Sequence, residues 1–408
     1  METNPMGLGW YGSVLRRVNK RGTLIVVSQD GSRETFGDGT APRVVVRLHG
    51  FMTATKIALN PVLKLGEAYM DGTLTLEEGT EVADLLKLAC TNLEWSPDNP
   101  NFKLAQTQRR LGGVLGQINR LKKSRENVAH HYDISNDFYE LFLDEDKQYS
   151  CAYFTDPAMS LEDAQIAKKA HIAKKLLLDQ PGLSLLDIGS GWGGLGISMA
   201  KAGAASVHGV TLSQEQLALA RERAEAAGLA DRVRFDLTDY RELTGTYDRI
   251  VSVGMFEHVG RPNYRTFFET AYRRLADDGV MLLHTIGRAD GPGDTDPWIG
   301  KYIFPGGYAP ALSELMPHIE RAGFYVGDIE IWRLHYALTL KHWYERARAN
   351  QAKIEAMFDA KFFRMWMFYL AAARMAFEHM GHVVFQIQLS KRVGRLPLTR
   401  DYLYPAKT

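Results

Sequence analysis

From about residue 165 the chain alternates short apolar runs with amphipathic stretches. Residues 185–188, 207–210, 233–235, 250–253 and 280–284 are the apolar runs, and the stretches between them carry helical spacing. That alternation predicts a parallel sheet with helices on both faces. Residues 325–331 and 383–389 read as two further strands at one edge. The first hundred residues have a different rhythm. Residues 23–28 and 43–48 are rich in β-branched side chains and are separated by Gly31, Gly37 and Gly39, which predicts antiparallel strands joined by turns. A helix is expected over 53–65, a strand at 74–76 and a second helix over 82–89. Trp95-Ser96-Pro97-Asp98-Asn99-Pro100 then breaks the pattern. No internal repeat at a solenoid period is visible.

Composition narrows the class. At 408 residues two domains are the default, and 45% hydrophobic with 24% charged residues excludes a disordered or low-complexity chain. No apolar run reaches the length of a membrane span. Met1-Glu2-Thr3-Asn4-Pro5 lacks the basic flank and apolar core of a secretory signal, so none is expected. Two cysteines, Cys90 and Cys151, make neither a disulfide framework nor a zinc site; they fit a reducing cytoplasm, and no metal is expected.

A net charge of +1 conceals one uneven stretch. Residues 101–125 hold Lys103, Arg109, Arg110, Arg120, Lys122, Lys123 and Arg125 and no acid, beside Leu104, Leu111, Val114, Leu115, Ile118 and Leu121 at helical spacing. Such a segment either binds anionic lipid headgroups or is a solvated linker helix. It has no aromatic residue between its cations on which RNA bases would stack.

The first strand of the alternating region runs into Asp187-Ile188-Gly189-Ser190-Gly191-Trp192-Gly193-Gly194. Gly189, Gly191 and Gly194 satisfy GxGxxG, where a sharp turn lets a ligand approach bare backbone. A dinucleotide enzyme would place an acid at the end of the second strand for a ribose diol. Here that position reads Gly209-Val210-Thr211-Leu212. Asp187, two residues before the first glycine, is instead typical of S-adenosylmethionine (SAM) enzymes, whose ligand presents an ammonium and a sulfonium. Asp239-Tyr240, after the third strand, sits where such enzymes contact the adenine.

Several blocks are more specific. They are Asn127-Val128-Ala129-His130-His131-Tyr132-Asp133 with Phe138-Tyr139; the stretch 149–154 (YSCAYF); 186–194 (LDIGSGWGG); 251–260 (VSVGMFEHVG); 282–287 (LLHTIG); 301–307 (KYIFPGG); and Trp343-Tyr344-Glu345-Arg346. Together they resemble the cyclopropane-fatty-acid synthase family, including the mycolic acid cyclopropane synthases, over about residues 127–390. The first hundred residues resemble the lipid-associated N-terminal domain of the phospholipid-acting members. The resemblance implies an α/β fold: a class I methyltransferase, Rossmann-like, doubly wound sheet with helical acyl-binding insertions, plus a small α+β N-terminal domain. The expected boundaries are 1–100, a basic linker helix over 101–125, and a catalytic domain over 126–408.

The implied activity is that of a cyclopropane-fatty-acyl-phospholipid synthase. A methylene derived from SAM is added across the cis double bond of a phospholipid acyl chain, leaving S-adenosylhomocysteine (SAH). An alkene is a poor nucleophile, so it must be held against the sulfonium methyl. The resulting carbocation needs a dry slot, an electron-rich wall and a base that is not itself alkylated. The family's base is a bound bicarbonate. By motif match its holders are the side chains of Glu257, His284 and Tyr344, with the backbone near Cys151 and Ile286; the Cys151 thiol reads as packing rather than nucleophile. The resemblance places Tyr149 and Ser150 at the methionine end of the cofactor with Gly189 and Gly191; Asp187 is a further cofactor candidate. Thr211 and Gln216 are placed at the nucleoside, with Asp239 and Tyr240 at the adenine. Ser190 and Thr238 depart from the commoner family residues, cysteine and glutamine. Residues 362–370 are apolar almost all round, as core or an acyl slot would be. Phe363 and Met367 are acyl-slot candidates, and Tyr302, Phe304 and Tyr308 are candidates for the cation's wall.

The implied partners are unsaturated membrane phospholipids, an anionic membrane surface met through Arg120, Lys122, Lys123 and Arg125, and a second copy in a homodimer, with no nucleic acid. The expected place is cytoplasmic, peripheral to the inner membrane face. Two other readings stay open. One is alkene methylation without ring closure, giving a methyl- or methylene-branched chain; the other is a non-catalytic lipid-binding or transfer protein.

Overall fold

The computed structural model describes residues 9–50, 52–93 and 135–404. The basic segment with Arg120, Lys122, Lys123 and Arg125, and the block at 127–133, lie outside the described residues. In chain order the elements are α1 (Gly9–Val18), β1 (Thr23–Val27), β2 (Arg33–Gly37), β3 (Arg43–Leu48), α2 (Thr53–Leu59), α3 (Pro61–Met70), β4 (Leu74–Leu76) and α4 (Val82–Asn92). After the undescribed stretch come α5 (Asn136–Glu140), α6 (Leu161–Lys175), β5 (Ser184–Ile188), α7 (Gly194–Ala202), β6 (Ser206–Thr211), α8 (Gln214–Ala226), β7 (Val233–Leu237) and β8 (Tyr247–Val253). The remainder is α9 (Tyr264–Arg274), β9 (Leu275–Arg288), α10 (Pro297–Tyr302), α11 (Leu312–Ala322), β10 (Tyr325–Trp332), α12 (His335–Ala349), α13 (Gln351–Met357), α14 (Ala360–His379) and β11 (His382–Ser390).

The chain forms two compact units, and they do not follow the boundary drawn on the sequence. The first gathers described residues 9–93 with Asp296–Ile303 and Leu340–Met380; the second holds 135–295, Phe304–Thr339 and Gly381 onward. In the first unit the sheet order is β2-β1-β3-β4. β1 and β3 run parallel, Thr23 facing Arg43 through Val27 facing Arg47, which corrects the expected antiparallel pairing. The cause is β2. It returns antiparallel along the other edge of β1, so the chain reverses once more than the two β-branched runs reveal. The helix expected over 53–65 is two helices. Pro61 lacks the N–H a helix interior needs and opens α3, and the Asn60 side chain caps it by accepting from the Leu63 N–H at 3.3 Å. Leu24, Val26, Val44, Val46, Ile57, Leu85 and Leu88 close the core of this module. The apolar stretch 362–370 lies in α14 of the same unit, with Phe363, Trp366, Met367, Phe368, Tyr369 and Leu370 buried. Phe368 meets Trp298 of α10, ring centroids 4.6 Å apart, over Gly66 of α3, where a Cβ would come within 2.5 Å of Trp298 Nε1.

The second unit is built on seven strands in the order β10-β11-β9-β8-β5-β6-β7. β9, β8, β5, β6 and β7 are parallel neighbours, and β11 inserts antiparallel between β9 and β10. Successive strand residues point to opposite faces. Leu186, Ile250, Met281 and Leu283 therefore join one core with Phe267 and Phe268 of α9 and Leu315 and Ile319 of α11. Leu185, Val251 and Leu282 join the other with Ile172 of α6, Leu195 of α7 and Ala220 of α8. This is the doubly wound architecture expected from the alternation.

Candidate functional site

β5 sits where the winding reverses, with β6 on one side and β8 on the other, so a crevice opens beyond the carboxyl ends of these strands. Four strand ends supply its wall: Asp187–Trp192 after β5, Val210–Leu212 after β6, Thr238–Arg241 after β7, and Val253–Met255 after β8. The segment Lys147–Ser150 closes it from outside the sheet. All nine cofactor candidates line this one cleft: Tyr149, Ser150, Asp187, Gly189, Gly191, Thr211, Gln216, Asp239 and Tyr240. Gly189 turns with φ +86°, and a Cβ there would strike the Met255 side chain at 2.6 Å, so the loop can take its path only with glycine.

The polar groups in the cleft differ in how far they are already satisfied. Asp239 is committed, because both of its oxygens are held by the Arg241 guanidinium at 2.8 and 2.7 Å. Tyr240 packs its ring edge-on against Phe267. Thr211 donates to Gln216 Oε1 at 3.0 Å, fixing that pair as one surface. The Tyr149 ring packs against Tyr139 and Phe142. Asp187 stands apart: it is 1% exposed, its Oδ2 has no hydrogen-bond partner among the described residues, and burial raises its carboxyl to about 7. An orphaned buried carboxylate oxygen facing a cleft calls for a cation.

The second group of predicted residues is only partly assembled. Glu257 lies in the turn after β8, and its Oε1 accepts the Ile286 N–H at 2.6 Å. Its Oε2 is buried with no hydrogen-bond partner among the described residues, and burial raises the carboxyl to about 7. His284 and Ile286 are two residues apart on β9 and so share a face. His284 is buried, its imidazole meets Trp332 edge-on, and Gln386 Nε2 donates to its Nδ1 at 3.1 Å. In that arrangement Nε2 carries the proton. Burial, reinforced by the charges of Lys168 and Lys175, pulls His284 well below the ordinary imidazole range, so the ring is neutral. The backbone N–H of Ile286, expected to face a bound ion, is instead taken by Glu257. The N–H after Cys151 is likewise taken, by Thr339 Oγ1 at 3.0 Å. The Cys151 thiol is fully buried and pushed up by that burial, so no thiolate is on hand.

The other candidates divide between the units. Tyr344 belongs to the first unit, where its hydroxyl donates to Glu81 at 3.1 Å. Tyr302 also lies there and donates to Glu67 at 2.9 Å; Phe363 and Met367 sit in α14 of that unit. Phe304 and Tyr308 lie in the second unit. Phe304 packs on His258, and Tyr308 donates its hydroxyl to Glu314 at 2.8 Å and its N–H to the Glu257 carbonyl at 2.9 Å.

Residues 119–387 match the family model described as mycolic acid cyclopropane synthetase, and residues 11–96 match a domain family of unknown function. The chain belongs to the cyclopropane synthetase family. Relatives extend the match beyond the methyltransferase unit. The chain is 40% identical to the Escherichia coli (strain K12) cyclopropane-fatty-acyl-phospholipid synthase over 81% of its own length and 84% of that protein's. It is 37% identical to a probable fatty acid methyltransferase of Pseudomonas putida, over 92% and 94%. Among solved structures, the mycolic acid cyclopropane synthase CmaA1 complexed with SAH and CTAB is 35% identical, with a TM-score of 0.61, covering 65% of this chain and 97% of that one.

This member of the cyclopropane synthetase family is a SAM-dependent methyltransferase, and the cleft suits that cofactor. The orphaned Asp187 oxygen fits the ammonium of the methionine end, and Gly189 and Gly191 expose backbone to it. Other residues of the cleft were not singled out on the sequence. Gln148, Trp192, Met255 and His258 all line it, and burial lowers His258 to about 4. Behind it, Gln165 and Lys168 of α6 are both fully buried. Gln165 Nε2 donates to the carbonyls of Gln148 at 3.2 Å and Ser150 at 3.0 Å. Lys168 Nζ donates to Gln148 Oε1 at 2.9 Å and Ser150 Oγ at 2.7 Å. Their signal in the sequence was faint: a glutamine and a lysine one turn apart on a helix that also buries His171 and Lys175.

Proposed function

We propose that this methyltransferase is a cyclopropane-fatty-acyl-phospholipid synthase, acting on the cis double bond of phospholipid acyl chains. The observation that carries the reading is the Glu257 carboxyl, with one oxygen bonded to the Ile286 N–H, two residues along β9 from a neutral His284, and the other buried without a partner among the described residues. Bicarbonate has one O–H to give and several oxygens that accept, so Glu257 Oε2 and the Nε2–H of His284 suit it from two sides. Bound there, it would supply the base that the ring-closing deprotonation requires. SAM supplies the one-carbon unit as an electrophilic methyl.

The chain's own residues do the rest. Asp187 accepts the cofactor's ammonium. Glu257 holds a proton at Oε2 or accepts one there, which its elevated pKa permits near neutrality. His284 donates without carrying a charge that would repel a carbocation. The thiol of Cys151 stays protonated and escapes alkylation. The aromatic rings of Phe304 and Tyr308 are the second unit's candidates for stabilising the cation. Tyr302, Tyr344, Phe363 and Met367 enter the proposal through the resemblance. No helix among the described residues is long and apolar enough to cross a membrane. We propose that the substrate is met at a membrane surface, through the basic segment.

The test is to incubate the protein with SAM and vesicles of monounsaturated phospholipid, then record NMR spectra of the extracted fatty acids. Cyclopropane ring protons are expected. One added CH₂ by mass without ring protons would assign the branching reaction instead, and unchanged acyl chains would refute both.

A further inference from the structure

We propose that Lys168 is a positioning residue for the cofactor: its ammonium holds Ser150 as a one-way donor toward the carboxylate at the amino-acid end of SAM. The chemistry follows from counting protons. A lysine ammonium has three donors and no acceptor, so Ser150 Oγ, 2.7 Å from Lys168 Nζ, must accept. The single hydroxyl proton of Ser150 is thereby turned away from Lys168. Ser150 lines the cleft and its Oγ has no other hydrogen bond among the described residues, so the ligand space is where that proton goes.

The surroundings fix this arrangement instead of leaving it to chance. Gln165, one turn before Lys168 on α6, ties down the carbonyls of Gln148 and Ser150. The second bond of Lys168, to Gln148 Oε1, leaves the amide nitrogen of Gln148 to donate to Asp146 Oδ2 at 3.0 Å. Lys168 itself is 0% exposed and, among the described residues, has no carboxylate within hydrogen-bond distance; the charges of Asp144 and Asp146 raise it, that of Lys169 lowers it, and its own charge in turn lowers His284. Burial lowers it to about 8, which still leaves it charged at neutral pH. Burying an ammonium against two neutral oxygens is costly. An anion arriving at Ser150 offsets that cost. The amino-acid end of SAM is a zwitterion, and the cleft then offers one group for each sign: Asp187 for the ammonium and the Lys168–Ser150 pair for the carboxylate. The inference rests on the cleft taking SAM.

Titration calorimetry with two probes tests it: SAH, and 5′-methylthioadenosine, the same nucleoside thioether without the amino-acid end. Lys168→Met is expected to weaken SAH binding by about tenfold to hundredfold, the range of a hydrogen bond to a charged group. It should leave methylthioadenosine within about twofold. Ser150→Ala should do the same, and adding Lys168→Met to it should cost less than about twofold more, because the lysine acts through the hydroxyl. Equal weakening of both probes by Lys168→Met, a full loss in the Ser150→Ala background, or no loss at all would overturn the proposal. So would undiminished SAH affinity in Ser150→Ala alone, whether or not the lysine variant folds. If the wild-type protein bound neither probe, the cofactor reading itself would fall and this inference with it.

Discussion

Two buried carboxyls, Asp187 and Glu257, titrate near neutrality because burial penalises their charged forms. The sign of the consequence is set by where the unfolded carboxyls titrate. Between their ordinary range near 4 and about 7, the folded chain holds protons that the unfolded chain has lost, so each group destabilises the fold as pH rises through that window. A ligand ammonium beside Asp187 reverses this by favouring the ionised form. Binding of SAH at roughly pH 6 should therefore release a proton, and the release should fade above about pH 8, where the free carboxyl is already ionised. Calorimetry in buffers of different ionisation heat reads this directly. Asp187→Asn should abolish the release, and a wild-type protein that releases none would refute the assignment. Glu257 asks a different question. Glu257→Gln keeps an oxygen for the Ile286 N–H but loses the proton-accepting carboxylate, so turnover should fall by about a hundredfold or more while SAH affinity stays nearly unchanged. Retained turnover, or lost affinity, would remove Glu257 from the proposed site.

At the scale of elements, the loop after β5 is the most exacting part of the fold. Gly189→Ala would combine a strained left-handed backbone with a Cβ pressed on Met255. We expect a lower thermal midpoint and SAH binding weakened by about tenfold or more, in line with 1–3 kcal/mol of backbone strain; an unaltered variant would show that the loop yields. This element was legible from the sequence because glycine spacing, the preceding acid and the apolar strand all pointed the same way. The strands of the second unit were legible for a similar reason, since continuous apolar runs mark strands buried on both faces. The first unit was read less well. β2, Arg-Glu-Thr-Phe-Gly at residues 33–37, buries only Phe36 and so carries almost no hydrophobic signal. Missing it reversed the inferred direction of β3. For Tyr344 and Ile286 the structure adds partners that the sequence did not show. A motif names the residue but not the partner its hydroxyl or N–H has already found, here Glu81 and Glu257. Lys168 escaped notice because a lysine on an amphipathic helix ordinarily reads as solvated.

At the scale of the whole molecule, the sequence-based boundaries at 100 and 126 describe chain order rather than packing. The basic segment between them remains the candidate for meeting a charged surface. Replacing Arg120, Lys122, Lys123 and Arg125 with glutamine should weaken binding to anionic vesicles by at least about tenfold at low salt, with the gap closing as salt is raised. Vesicle sedimentation that shows equal partitioning would make the segment a plain linker. The first unit carries a consequence of its own. Its opening strands and helices leave the ribosome early, yet Trp298 and Phe368, which cover Gly66, are among the later residues to be translated. The module that is begun first must wait, with an apolar face uncovered, until residue 368 has been made, so a fragment ending near residue 100 is an unfinished core rather than a separable domain.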